Sequence, residues 1–323
     1  MIRSFDWRDL ALLHRIRNRG ICMDSQLAYT SGTHAMQSAL RDALALHRNS
    51  STFVLRPENG DDDSVIGQFQ IYPESEFARL TFLSPHESIS EMHGIQLLEA
   101  LAEAAGRSGA QSIIAEIDEK DDALVGLRKA GFAIFARQRI WRLDAPGKII
   151  IRSRQKIWRK ERDEDESAII HLHLNLIPSL VQQVEPPGLR DRIGLVYWDE
   201  DELLGYFHVH HGSRGNWVQP YFHPAAALTE ALLSAGFAEL FARDSNPLFV
   251  CVRSYQGGIG EILGGLGFKQ CGDEAVMVKR MTKLVPQESH PVIPVLNGTR
   301  TEPTATFIPY HGGRQFHDTE FEL

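Results

Sequence analysis

Apolar residues recur along this chain at two periods. Leu10, Leu13 and Ile16 share one helical face behind Asp6, which stands where an N-cap belongs, and a strand over Ile2 to Phe5 precedes them. Met36, Leu40, Ala43 and Leu44 mark a second helix over His34 to Leu46. The period then drops to two. Thr52 to Arg56, Val65 to Tyr72 and Arg79 to Leu83 read as strands of an antiparallel meander, with a turn at Asn59-Gly60 followed by an acidic run from Asp61 to Asp63. A long amphipathic helix follows over Ser90 to Arg107, with Leu97, Leu98, Leu101 and Ala105 as its inward stripe and Gly109 just past its end. Ser112 to Ile117 is a β-branched strand, Asp121 to Ala130 a short helix, and Gly131-Phe132 opens an extended stretch through Leu143.

The second half repeats this order. Leu203-Leu204-Gly205-Tyr206-Phe207 matches Val65-Ile66-Gly67-Gln68-Phe69, Leu266-Gly267-Phe268 matches Ala130-Gly131-Phe132, and Ala168-Ile169-Ile170-His171 echoes Ala11-Leu12-Leu13-His14. Between these landmarks lie a strand over Asn216 to Phe222, a helix over Leu228 to Arg243, a β-rich run over Leu248 to Arg253 and a short helix over Gly257 to Leu266. Repetition at this length means two related domains rather than a solenoid. The boundary falls near Ala145-Pro146-Gly147, so the expected domains are 1–145 and 146–282. From Lys283 on, Pro286, Pro291, Pro294, Pro303 and Pro309 interrupt any helix, and 283–323 reads as a disordered tail.

Composition narrows the class of protein. At 323 residues, 43% hydrophobic and 24% charged, the chain is an ordinary globular one. It has no run of 18 apolar residues and its start lacks a signal-peptide pattern, so the expectation is a cytoplasmic protein with no membrane partner. Cys22, Cys251 and Cys271 form no C-x-x-C pair, which points to packed thiols. A net charge of −8 offers no stripe for a nucleic-acid backbone, so no nucleic-acid partner is expected. The dense stretch Arg152 to Glu166 mixes six basic and five acidic residues, as a solvated connection does.

The twice-repeated order of strand, helices, three antiparallel strands, long helix, strand, short helix and Gly-Phe strand resembles the GNAT (Gcn5-related N-acetyltransferase) superfamily. Its most specific residues are Gly94-Ile95-Gln96-Leu97-Leu98-Glu99-Ala100-Leu101, the Ala123 to Phe132 segment and Gly267-Phe268. The resemblance covers Ile2 to Leu143 and, more weakly, Ile149 to Met281. It implies an α/β fold, an α+β mixed sheet in two tandem acyl-CoA N-acyltransferase domains, with a splayed parallel junction between the fourth and fifth strands. Acetyl-CoA, the implied co-substrate, lodges there with its pyrophosphate on the N-terminus of the long helix, and no metal is implied. Backbone N–H groups and the helix dipole make such an anion site, and glycines allow close approach. The family's Gln/Arg-x-x-Gly-x-Gly/Ala pattern falls on Ile89, Met92 and Gly94, of which only Gly94 matches. Ser88, Met92, His93, Gly94 and Ile95 are the cradle candidates, with Ser88 and Ser90 able to add hydroxyls. Phe82, Leu83 and Ser84 would carry the N–H that polarises the thioester carbonyl. In the second half, Pro224-Ala225-Ala226-Ala227-Leu228 occupies the same turn without glycine. The family's general-acid tyrosine falls on Leu127 and Leu263, so both halves lack it. Glu116 and Asp118 end the fifth strand as candidate bases, and Glu74 and Glu76 border the preceding hairpin.

Three other patterns carry less. Gly257-Gly258-Ile259-Gly260-Glu261-Ile262-Leu263-Gly264 is one residue too long for the dinucleotide fingerprint. His208 and His210 would face the same side of a strand and could share a metal with His223 from the neighbouring strand, but no carboxylate stands at a ligand spacing. Arg137, Arg139, Trp141 and Arg142, with Trp158 and Arg159, favour a packed seam between the domains over a nucleic-acid face. The resulting expectation is an acyl-CoA-dependent N-acyltransferase, acetylating a small-molecule or peptide amine and using a cofactor in the first half. Its tandem build is compatible with a monomer. The alternative is a degenerate GNAT pair that binds a ligand or a protein and transfers nothing.

Overall fold

A computed structural model describes residues 1–32, 37, 39, 50–57, 63–72, 75–144, 157–186, 194–241 and 246–281. Most of the expected helix over His34 to Leu46, the turn at Asn59-Gly60, Glu74, the boundary at Ala145-Pro146-Gly147, the first residues of the Arg152 to Glu166 stretch and the tail from Lys283 lie outside these residues.

The first half runs β1 (Ile2–Ser4), α1 (Leu10–Ile16), β2 (Ile21–Cys22), α2 (Ser25–Thr30), β3 (Ser50–Leu55), β4 (Val65–Ile71), β5 (Phe77–Ser84), α3 (Met92–Arg107), β6 (Ser112–Asp118), α4 (Ala123–Lys129) and β7 (Ala133–Leu143). The second runs β8 (Trp158–Lys160), α5 (Glu166–Leu176), α6 (Ser179–Gln182), β9 (Gly194–Asp199), β10 (Glu202–His211), β11 (Asn216–Phe222), α7 (Glu230–Phe241), β12 (Leu248–Arg253), α8 (Ile259–Gly265) and β13 (Lys269–Arg280). Each long helix forms for the reason its pattern gives. Leu97, Leu98 and Leu101 of α3 are fully buried against the sheet, each contributing about 2 kcal/mol of apolar burial.

Duplication shows in the side chains as well as in the order. Arg3 donates two hydrogen bonds to Asp9 (2.7 and 2.8 Å), and Asp9 also accepts from the Asp6 N–H at 2.9 Å. In the second half Arg159 does the same to Asp165 (2.7 and 2.6 Å), and Asp165 accepts from the Arg162 N–H at 2.8 Å. Both carboxylates are buried and both lie at the helix entry, where a carboxylate complements the helix dipole.

Among the described residues thirteen strands form one sheet in the order β1-β3-β4-β5-β6-β13-β7-β12-β11-β10-β9-β8, with β2 paired to β5. The order is the same from either end once the halves are interchanged. At its centre the last strands are exchanged: β13 pairs with β6 (Val276 opposite Glu116), and β7 pairs with β12 (Ile140 opposite Cys251). β7 and β13 then pair with each other. Met1 to Lys283 accordingly form one compact unit. The central strand β7 carries Arg137, Arg139, Trp141 and Arg142, the three arginines exposed, whereas Trp158 and Arg159 lie on β8 at the far edge of the sheet and take no part in the seam.

Helices cross the seam too. Tyr29 at the end of α2 packs on Phe249 and Trp217 of the second half, with ring centroids 4.8 and 6.3 Å apart. In return, Val181 and Val184 around the end of α6 bury against a cluster that includes Phe77 and Ile114 of the first half. One face of each half-sheet is covered by its own long helix, and the opposite face at the centre is covered by these exchanged segments.

Candidate functional site

β5 and β6 are parallel and in register only from Phe77 to Arg79, opposite Ser112 to Ile114. Beyond that they splay. In the second half β11 and β12 pair over Asn216 to Val218 opposite Leu248 to Val250 and then part in the same way. Both halves therefore build the V-shaped junction, and what fills each V decides its chemistry.

The first V is filled by the chain itself. β2 pairs antiparallel with β5, Ile21 opposite Leu83 and Cys22 opposite Phe82. Met23 completes the bridge, its N–H donating to the Thr81 carbonyl (3.2 Å) and its carbonyl accepting from the Glu116 N–H (2.9 Å). A third strand edge thus runs between the two splayed ones. A Cβ on Gly20 would lie 2.8 Å from the Leu83 carbonyl oxygen, so the segment enters as tightly as a glycine allows. The mouth of the same cleft is closed by the loops on either side. His86 meets Asp121 at 2.7 Å, Ser90 Oγ donates to the Asp122 carbonyl at 2.8 Å, and Gly126 abuts the Ile89 carbonyl with no room for a side chain.

Each expected cofactor residue has a place in this closed arrangement. Phe82 and Leu83 belong to the ladder with β2, and Ser84 Oγ donates to the Ile16 carbonyl at 2.6 Å. Ser88 is buried, and the Glu91 N–H donates to its carbonyl at 3.1 Å. Met92 is exposed, His93 and Ile95 are half-buried, and Gly94 is packed against the backbone of Ser88 and Ile89. Gly94 is small because a helix start meets a turn there. Leu127 and Leu263, at the positions of the family's tyrosine, are core residues of their halves.

The two candidate bases separate. Asp118 is exposed and accepts from the Lys120 N–H at 2.8 Å. Glu116 is buried within a polar row that crosses five strands on one face: Arg79 on β5, Glu116 on β6, Glu274 on β13, Gln138 on β7 and Arg253 on β12. Arg79 Nη1 donates to Glu116 at 3.1 Å, and the Ser25 N–H donates to its other oxygen at 2.8 Å. Ser25 Oγ donates to Glu274 at 2.6 Å, which also accepts from Gln138 Nε2 at 2.7 Å. Glu185, just past α6, is held by both guanidiniums, Arg79 at 3.0 Å and Arg253 at 2.9 Å.

Electrostatics sort these carboxyls. Burial opposes ionising Glu116, but Arg79, Arg253 and the Ser25 N–H outweigh it and hold its pKa below the usual glutamate value. For Glu274 the hydrogen bonds from Ser25 and Gln138 and the charge of Arg253 are outweighed. Burial, and then the negative charge of Glu116, push it up to about 7. Such a row can store a proton at neutral pH, but strand β2 and the Ser25 backbone stand between it and the first V.

The second V has no strand in it among the described residues. The Gln256 side chain spans it instead, accepting from the Arg253 N–H at 3.0 Å and donating to the Pro220 carbonyl. Pro220 supplies no N–H there. In the turn before α7, Pro224 likewise has none, while the Ala225 N–H donates to His223 Nδ1 at 3.2 Å and the Ala226 N–H to the His223 carbonyl at 2.9 Å. Two N–H groups of this turn are thus spent within it, and Glu230 puts a negative charge in the helix's first turn.

Several of these residues carried no sequence signal. Met23 lies between elements, Ser25 opens the six-residue α2, and Glu185 follows a four-residue helix. Arg253 ends an otherwise apolar strand, and a cation closing the run Leu248 to Arg253 was the one readable hint. Among the described residues no three His, Cys, Asp or Glu side chains meet in a metal-holding group, and no helix is long and apolar enough to cross a membrane.

No protein-family model matches the chain, and no curated protein matches it. Solved structures do. A GCN5-related N-acetyltransferase from Sphaerobacter thermophilus superposes with a TM-score of 0.51 at 11% identity, covering 87% of this chain and 95% of that one. A putative acetyltransferase from Pyrococcus horikoshii gives 0.49 at 12% identity, covering 87% and 89%. A tandem GNAT protein from the clavulanic acid biosynthesis pathway gives 0.47 at 13% identity, covering 72% and 82%. The strand order, the splayed junctions and the first of these superpositions together give the chain the fold of the GNAT N-acetyltransferases, built twice in tandem.

Proposed function

We propose that this chain is a GNAT pair that binds rather than transfers: a ligand-binding or interaction module whose first acyl-CoA cleft has been closed from within. One observation carries the reading. Ile21 to Met23 occupy the hydrogen-bonding edge of β5 and reach across to β6, where an acyl-thioester arm would have to lie. A pantetheine arm and this segment compete for the same Thr81 and Leu83 backbone groups, and the intramolecular strand holds them at high effective concentration. The packing of Gly126 on Ile89 denies a pyrophosphate the turn before α3. The residues present therefore do not fit acetyl-CoA in the first half, and the second offers a turn in which Pro224 has no N–H and those of Ala225 and Ala226 are already used.

The test is calorimetric titration of acetyl-CoA and of free CoA into the full chain. No saturable heat is expected up to about 1 mM ligand, the level at which binding would be worth only about 4 kcal/mol. Saturable binding at micromolar concentration overturns the reading. Gly94→Asp is a poor control, because its side chain would strike Ser88 and Ile89 before it met any phosphate.

The fold likeness supports a second reading, that of an acyl-CoA-dependent N-acyltransferase with its cofactor in the first half, acting on a small-molecule or peptide amine. It requires Gly20 to Met23 to leave the cleft. Under that reading the Met23 and Glu116 amides exchange faster with acetyl-CoA present, and under ours they do not.

A further inference from the structure

The polar row contains one cation whose donors are not all used. Arg253 is 4% exposed; its Nη2 donates to Glu185, but its Nε and Nη1 have no partner. A second such group lies close by. His173 on α5 is 8% exposed, its ring stands 4.2 Å from that of Tyr221, and its Nε2 has no partner either. Tyr221 and the half-buried Tyr255 are both within electrostatic reach of Arg253. Two unsatisfied polar groups therefore flank one buried tyrosine on the face where the halves meet. Leaving a guanidinium donor unmet in such a place costs about 1–3 kcal/mol, more than most native sites tolerate without a partner.

We propose that this place is a binding site for a small carboxylic acid, its carboxylate on Arg253 and its body over Tyr221. A guanidinium presents pairs of parallel N–H groups that match the two oxygens of a carboxylate. Arg79 and Arg253 balance Glu116 and Glu185, and Glu274 holds its proton to near neutrality, so the row carries no net charge to repel an incoming carboxylate. His173 is neutral there, since burial and then His208 pull it down to about 4, so it can meet a second polar group of the ligand without adding charge. Solvent reaches the row at Arg79 and Glu185, whose side chains are 17% and 16% exposed. The inference deepens the binding-module reading by naming a ligand class.

The experiment follows the Arg253 Nε–H resonance in a nitrogen-labelled full chain while sodium acetate replaces sodium chloride at constant ionic strength. The resonance is assigned by its loss in Arg253→Lys. A saturable shift with a dissociation constant of about 1 mM is expected, with no acetate-dependent rise in Tm for Arg253→Lys. If that variant does not fold, Glu185→Gln assigns the same resonance by moving it without removing it. A resonance that acetate leaves unmoved, or that chloride moves equally, overturns the proposal and leaves the donors to water. Acetyl-CoA is titrated in parallel: binding that leaves the Arg253 resonance in place would defeat the binding-module reading alone, and an unmoved resonance in acetate would defeat this site alone.

Discussion

Replacing Glu274 by Gln should stabilise the protein at alkaline pH and leave it nearly unchanged in acid. The carboxyl ionises near 4.5 in an unfolded chain and near 7 in the folded one, because burial and the charge of Glu116 disfavour its anion. Between those values the folded state keeps a proton that the unfolded state has released. Stability therefore falls as pH rises through that window, and the loss is complete above it. The difference of roughly 2.5 units corresponds to about 3 kcal/mol at pH 8. Glutamine cannot ionise, yet its carbonyl oxygen can still accept from Ser25 Oγ and Gln138 Nε2, which now lie 2.6 and 2.7 Å from the carboxylate. Urea denaturation of both proteins at pH 5 and pH 8 reads the effect as a change in midpoint at constant slope. The variant's advantage should grow from under 1 kcal/mol at pH 5 to about 3 kcal/mol at pH 8. An advantage that is the same at both values, or a variant less stable than wild type at pH 8, would refute the electrostatic account of the row.

Two further outcomes follow from the duplicated design. Asp9→Ala and Asp165→Ala each remove a buried carboxylate that orders a helix entry and leave partly exposed arginines that can turn to water, Arg3 and Arg56 in the first case and Arg159 in the second, so each should cost about 2 kcal/mol in urea denaturation. The two sites sit beside opposite edge strands, so the double variant should lose the sum; a cost well below it would mean the ends of the sheet are coupled. A fragment ending at Asp144 keeps β7 but loses the strand that separates it from β6, leaving an open edge. By light scattering it should associate or aggregate, and a monomeric, cooperatively unfolding fragment would show that β7 can close back onto β6.

Much of this architecture could be read from the chain. Gly67 and Gly205 sit at the same point of β4 and β10, the α3 stripe of Leu97, Leu98 and Leu101 is buried as its period requires, and the strands over Asn216 to Phe222 and Leu248 to Arg253 begin and end where expected. The repeat also held a clearer signature than the one used: Arg3 with Asp9 and Arg159 with Asp165 keep the same six-residue spacing and the same bidentate geometry. What the sequence hid is pairing. β7 has the same alternation whether it lies beside β6 or beside β12, because period two specifies a face and not a neighbour. β2 is two residues long and carries no period at all, so the strand that fills the first cleft was invisible. The row of Arg79, Glu116, Glu274, Gln138 and Arg253 collects residues from five strands far apart in sequence, and only the exchange of β13 and β7 brings them side by side.

That exchange also sets the order in which the protein can be made. While the ribosome is still producing the second half, every residue of the first has emerged, yet β6 waits for Val276 and its neighbours, about 160 residues later in synthesis. Closing so long a loop is slow, and the waiting edge of Ile113, Ile114 and Ala115 is apolar and open to the wrong strand. The newborn chain must either hold β7 there as a temporary occupant and release it, or be shielded until its last strand arrives.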